Sequence, residues 1–254
     1  MDLGLANVYA IIAEGLVKRY RDVTALRGLN LRVKWGEIHG LLGPNGAGKT
    51  TTLKIIVGLL RMDSGSVWIA GRNIKSDTHS YKTLIGYLPE IPGLPEYLMV
   101  KEFLGYIARL RGIPKEEVLS RVRWVSSMFE LDEVLNNFIY TLSRGYKQRV
   151  ALASALIHKP KILILDEPLA NIDPLIQYKV KQVFKEFTSL GGAILMSTHM
   201  VDTAERLCDR VTLIYRGTDI ASGTLDELRR LAEKSDAGLE EVFIALARRY
   251  EKHL

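Results

Sequence analysis

The run GPNGAGKT, residues 43–50, sets Gly43, Gly48, Lys49 and Thr50 at the spacing G-x-x-x-x-G-K-[ST]. That spacing suits the phosphates of a nucleoside triphosphate. Glycines let the backbone curl so that successive N–H groups face an anion. The helix expected to follow, TTLKIIVGLL, adds its positive N-terminal end. Lys49 supplies a mobile charge for the β- and γ-phosphates. Thr50 offers a hydroxyl to Mg2+, which prefers hard oxygen ligands. EIHGLL, just upstream, reads as a strand, which completes a strand–loop–helix unit.

Acids at the ends of apolar runs supply the other half of such chemistry. ILILDEP places Asp166 and Glu167 at the carboxyl end of an apolar strand, the end where open α/β sheets hold ligands. Asp166 is expected to hold Mg2+ through water. Glu167, one residue later, points elsewhere and suits a base polarising an attacking water. GGAILMSTH brings His199 to the same kind of strand end, where it either donates to a γ-phosphate or is an ordinary satisfied histidine. His39, His79, His158 and His253 are read as ordinary. In TLSRGYKQRV, Thr141 and Ser143 are N-cap candidates and Gly145 opens close backbone approach. This is a plain helix cap or a second anion site.

These groups need a scaffold to position them. AIIAEGLVKRY and LRGLNLRVKWGEIHGLL alternate as strands, and MDSGSVWIAGRNI reads as a hairpin with turns at Ser64-Gly65 and Ala70-Gly71. From about residue 97 the period becomes helical. Val100, Phe103, Leu104, Ile107 and Ala108 form one stripe, and Val118, Val122, Val125 and Phe129 another, in a helix opened by Pro114. A third helix is expected from Ser143 to about His158, stopped by Pro160. The runs KILILDE and GGAILMSTH suit a parallel sheet buried on both faces, with LIQYKVKQVFKEFTSL as their crossover helix. RVTLIYRG and DIASG read as a closing hairpin, and Leu239, Val242, Phe243, Leu246 and Tyr250 as a helical tail stripe.

The chain has 254 residues, a formal charge of +6 and one cysteine, Cys208. One cysteine forms no intramolecular disulfide and fits a reducing compartment. The opening MDLGLANVYAIIAEG lacks a basic n-region and is not read as a signal peptide. No apolar run is long enough to span a bilayer. No block of five basic residues occurs, so the positive charge reads as a solvated surface and no nucleic-acid partner is expected.

The order of motifs, namely the phosphate loop, Tyr-Leu-Pro-Glu, LSRG, ILILDEP and then His199, resembles the nucleotide-binding subunit of an ATP-binding cassette (ABC) transporter, over essentially the whole chain. The resemblance implies a P-loop NTPase core with a mostly parallel sheet, an antiparallel β subdomain and an inserted α-helical subdomain. It implies one domain over 1–254, divided as core (8–96 and 156–222), helical signature subdomain (97–155) and C-terminal tail (223–254). Tyr20 matches the aromatic that stacks on adenine. Gly43, Pro44, Asn45, Gly46, Ala47, Gly48, Lys49, Thr50 and Thr51 match the phosphate loop, with Thr51 at the α-phosphate. Thr50 and Asp166 match the Mg2+ site, Glu167 the catalytic base and His199 the switch histidine. Residues 171–173 match the loop that addresses a second subunit. Ser143 and Gly145 match the signature that caps the γ-phosphate held by the opposite subunit.

Two motifs depart from the family pattern. LSGGQ is here LSRGY, with Arg144 and Tyr146 substituted, and the usual glutamine beside the γ-phosphate is Glu90, which could still contact Mg2+ or its water. LPE, LSRGYKQR and LEEVFIALA are similar to type-two ABC exporters. The resemblance implies ATP hydrolysis coupled to transport, with ATP and Mg2+ as cofactors. Its implied partners are an integral membrane permease and a second ATPase subunit, a homodimer. The implied location is peripheral, on the cytoplasmic face of the cell membrane. A soluble ATP-driven switch and a membrane-associated regulator are the alternative readings.

Overall fold

The computed structural model describes residues 3–170 and 172–252, so Asn171 and His253 lie outside the described residues. A short helix, α1 (Leu3–Val8), leads into β1 (Tyr9–Tyr20). That strand pairs antiparallel with β2 (Val23–Lys34) on one side and β4 (Ser64–Ile69) on the other. The two-residue β5 (Arg72–Asn73) completes a sheet of order β2-β1-β4-β5. Ala70 and Gly71, both at positive φ, form the two-residue hairpin turn, as a primed turn requires. Ser64-Gly65 is not a turn. It opens β4, beside a register shift between Glu14 and Val17. The glycine there serves a bulge, which sequence cannot separate from a turn.

The second sheet is mostly parallel. β3 (Ile38–Leu42), β6 (Ile85–Leu88), β7 (Ile162–Asp166), β8 (Ala193–Thr198) and β9 (Arg210–Tyr215) lie in the order β9-β3-β8-β7-β6. β10 (Thr218–Gly223) returns antiparallel on β9. Every residue of β3, β7 and β8 is buried. Successive side chains leave a strand on opposite faces. Ile162 and Ile164 therefore join Leu53 and Ile56 of α2 (Lys49–Ile56) and Ile11 of the first sheet. Leu163 and Leu165 join Val180 and Phe184 of α6 (Pro174–Ser189). Burying each such side chain contributes about 1.5–3 kcal/mol. Helix α2 is thus held between the two sheets, its N-terminus following the carboxyl end of β3.

The helical region comprises α3 (Val100–Leu110), α4 (Lys115–Met128) and α5 (Arg144–Leu156), with 3-10 turns at Asp132–Val134 and Ile139–Thr141 before α5. Val100, Phe103, Leu104 and Ala108 are its buried stripe on α3, and Val122 and Val125 on α4. Pro114 is the N-cap of α4 rather than its first turn, and α5 ends at Leu156. After β8 come α7 (Val201–Leu207), α8 (Leu225–Leu231) and α9 (Leu239–Glu251). Leu239, Val242 and Leu246 of α9 pack with Leu42, Leu213 and Leu228 in a third core, so the tail stripe is packing within this chain. Among the described residues, no helix is long and apolar enough to cross a membrane.

Candidate functional site

The phosphate loop links β3 to α2. Gly43 has no alternative: a Cβ there would stand 2.2 Å from the Ile214 carbonyl oxygen on β9. Gly48, at φ 109, sits against Ala25 and Leu26 of β2 in a backbone conformation that favours glycine. The Ala47 N–H donates to Pro44 O (3.2 Å), and Ala47 O accepts from Gly217 N (3.0 Å). Gly217 O in turn accepts from Arg27 N (2.8 Å). The loop is therefore stapled both to β2 and to the β9–β10 turn. Among the described residues, no side chain caps the N-terminus of α2, which leaves its first N–H groups without the usual partner.

Lys49 is buried, and its ammonium donates to Gly43 O (2.7 Å) and Pro44 O (3.1 Å). Burial lowers its pKa, while the charges of Glu167, Asp166 and Glu90 act the other way. All three carboxylates thus bear on one ammonium.

Asp166 ends β7 and is 1% exposed. Its Oδ1 accepts a hydrogen bond from Ser197 Oγ. Its Oδ2 is buried and, among the described residues, has no hydrogen-bond partner. A buried carboxylate oxygen left unpaired is costly, and a hard cation is the partner such an oxygen suits. The donor set therefore fits Mg2+. Glu167 sits at φ 49, a strained conformation for a non-glycine residue. Its carboxylate meets His199. Glu167 Oε1 accepts from His199 N (2.9 Å) and lies 2.7 Å from His199 Nδ1. The backbone N–H of Glu167 donates to Ser197 Oγ (3.2 Å). Ser197, paired with Asp166 across β7 and β8, thus touches both acids.

Ser143 is the N-cap of α5 and accepts from Tyr146 N (3.4 Å); it is exposed, while Gly145 is half-buried. Thr141 ends the preceding 3-10 turn instead. Among the described residues, no hydrogen bond links Ser143 or Gly145 to the phosphate loop.

The motif order is accompanied by a family match: the model described as ABC transporter matches residues 26–170. The chain belongs to the ABC transporter family. It is 38% identical over 255 residues to "Probable multidrug ABC transporter ATP-binding protein YbhF" of Escherichia coli (strain K12), covering 98% of this chain but 43% of that protein. It is 34% identical over 242 residues to the Linearmycin resistance ATP-binding protein LnrL of Bacillus subtilis (strain 168), covering 93% of this chain and 78% of that one. Among solved structures, an ATP-binding subunit of an ABC transporter superposes with TM-score 0.87 at 33% identity, over 94% of this chain and 99% of that chain. A dimeric cassette in a post-hydrolysis state, bound to ADP and Pi, superposes with TM-score 0.78 at 26% identity, over 85% and 98%.

In this ABC cassette, Lys49, Asp166, Glu167 and His199 come together at the carboxyl edge of the parallel sheet. Glu90, exposed just beyond β6, joins them through its charge on Lys49. Thr50 and Thr51 open α2, half-buried. Tyr20 ends β1, is 44% exposed, and carries the Lys18 ammonium 5.5 Å from its ring centroid. Asp173 N-caps α6, accepting from Leu175 N and Ile176 N.

Ser197 was not anticipated, although the STH run that gave His199 contains it. Tyr87 was also missed: its hydroxyl is buried without a hydrogen-bond partner among the described residues, and burial, with the Asp166 charge, pushes its pKa up to about 12. Nor did Tyr146 attract a role. Its hydroxyl donates to the Glu133 carboxylate, and the Arg149 guanidinium stacks 3.9 Å from its ring centroid.

Proposed function

We propose that this chain is an ATP-binding and ATP-hydrolysing subunit that powers export by a separate membrane permease, through ATP-driven closure of a dimer. The observation that carries this reading is the unpartnered Asp166 Oδ2 at the edge shared by Lys49, Glu167 and His199. The export direction is supported by relatives whose names specify multidrug transport, Nod factor export and linearmycin resistance.

In this reading residues 43–51 cradle the phosphates, with Lys49 leaving its two loop carbonyls for the β- and γ-oxygens. Tyr20 stacks on adenine. Thr50, Asp166 and Glu90 would hold Mg2+, which would supply positive charge against the phosphate oxygens. Glu167 polarises the attacking water, and His199, bonded to it through Nδ1, orients that carboxylate and faces the γ-phosphate. Ser143 and Gly145 of a second copy close over the same phosphate. The energetics suffice: shifting an open–closed equilibrium from 1:99 to 99:1 needs about 5.5 kcal/mol. Two symmetric sites, each with charged hydrogen bonds of about 1.5–3 kcal/mol, supply that.

We divide the chain as core (8–96 and 156–222), helical signature subdomain (97–155) and tail (223–254). The permease contact is assigned to the helical subdomain beside Glu90. At that junction Ile91 of the core and Tyr97 and Tyr140 of the subdomain are 84%, 83% and 53% exposed, and Phe138 stacks on Tyr140 at 5.8 Å. Large exposed apolar groups of this kind mark interaction surfaces. The working location is the cytoplasmic face of the membrane.

The test is recovery of tagged Glu167→Gln protein from its native membranes in the presence of ATP. A polytopic membrane protein in near-stoichiometric yield is expected. Recovery of ribosomes or nucleic acid instead would overturn the transport reading.

A further inference from the structure

A groove of about 870 Å3 opens at the amino-terminal edge of the parallel sheet, the edge opposite the phosphate loop. Its size is that of a small-molecule site. Trp124 and Met128 come from α4, Val183 and Phe187 from α6, and Trp35 from the turn that follows β2. Three parts of the molecule therefore share one apolar wall. The wall is built rather than left over. A Cβ on Gly192 would stand 2.3 Å from the Phe187 ring, so the glycine gives that ring its seat.

The charge around the groove is one-sided. Arg72, Lys159 and Lys161 line it, against a single acid, Glu186. Arg72 already bonds Ser80 and lies 3.9 Å from Asp77. Among the described residues, neither Lys159 nor Lys161 has a carboxylate within salt-bridge distance. Lys159 sits at φ 53, with its ammonium 5.3 Å from the Trp124 ring centroid. A cation is thereby held at the lip, next to an aromatic face.

We propose that this groove binds a soluble amphipathic anion, with an apolar body lying between Trp124 and Phe187 and a carboxylate or phosphate end at Lys159 and Lys161. Aromatic walls take the body through area burial. The two lysines supply charge-assisted hydrogen bonds. A concave site lined from three directions fits one compound rather than a bilayer surface. An occupant touching both Trp124 and Phe187 fastens the helical region to the core.

The chain has three tryptophans, and two of them line the groove. In Trp68→Phe protein, emission therefore reports the groove alone. Decanoate below its micellar concentration is expected to change that emission saturably, and decyltrimethylammonium to bind at least about tenfold more weakly. Charge reversal at both lysines, Lys159→Glu with Lys161→Glu, is expected to cost at least about tenfold in decanoate affinity with the circular dichroism unchanged. Lys161→Gln alone, expected to lose about threefold, carries the same comparison if the double variant does not fold. No saturable response, equal affinity for the cation, or unaltered affinity in the folded lysine variants would overturn the proposal. So would sedimentation with phosphatidylglycerol vesicles in a protein that ignores decanoate, because the face would then be a bilayer contact.

Discussion

The phosphate loop and the N-terminal end of α5 are both places where a helix meets an anion in our reading, yet they are built in opposite ways. The loop is set by backbone: Gly43 under Ile214, Gly48 at positive φ, and Ala47 and Gly217 bonded main chain to main chain. Its lysine is buried and satisfied within the chain. The α5 end is set by side chains. Tyr146 reaches Glu133 at one end, and His158 Nε2 donates to Ile85 O (3.0 Å) just beyond the other. Its serine is exposed. One half is held by main chain and a buried lysine within a single chain, and the other offers an exposed serine. That difference is what a nucleotide shared between two subunits requires.

The largest expected effect falls on the acid at the loop's edge. Glu167→Gln keeps the hydrogen bond geometry with His199 but removes the base, so steady-state ATP turnover should fall about 10²–10⁴-fold. ATP affinity should be retained. Near-wild-type turnover in a phosphate-release assay would remove Glu167 from that role. Next comes Lys49→Ala. It deletes two charged contacts to phosphate, worth about 3 kcal/mol together, or roughly 100-fold in ATP affinity measured by calorimetry. An unchanged affinity would mean that the backbone alone makes the site.

The opposite, C-terminal end of α5 responds to acid through His158. Burial, then the Arg111 charge, lowers the His158 pKa from 6.5 to about 4, despite the bond to Ile85 O. Its Nδ1 is buried without a hydrogen-bond partner among the described residues. Between pH 6.5 and about 4 the unfolded chain takes up a proton that the folded chain refuses. This part of the stability is complete above pH 6.5 and declines as pH falls through that window. His158→Gln should flatten the decline by on the order of 2 kcal/mol, allowing for solvent screening. Chemical denaturation at pH 7 and pH 5 checks this, and an unaltered pH dependence would contradict it. Smallest is Tyr146→Phe, which removes the Glu133 bond and leaves the Arg149 stack. A stability loss of about 1 kcal/mol is expected, with the ATP affinity of the isolated subunit unchanged.

The same contrast explains what could be read in advance. The loop's glycines and the apolar runs of β7 and β8 are local patterns, and both periodicity and motif spacing report them directly. The stripes on α3 and α4 follow for the same reason. The bulge at Ser64-Gly65 has the composition of a turn, and only pairing with β1 distinguishes the two. Helices α7 and α8 have seven residues each, too short for a periodic signal. The roles of Ser197 and Tyr146 depend on partners 31 and 13 residues away, and no local pattern encodes those distances. His39, read as ordinary, is bonded on both ring nitrogens, to Glu37 (3.1 Å) and Thr212 (2.8 Å).

The central claim is that Ser143 completes a site on another copy of the chain. Light scattering on Glu167→Gln protein with and without ATP, beside the same protein carrying Ser143→Arg, tests it most directly. The account predicts that ATP converts the first from monomer to dimer, while the second binds ATP with the same affinity and stays monomeric. Dimers that form equally well with Ser143→Arg, or ATP-bound Glu167→Gln that remains a monomer, would contradict it.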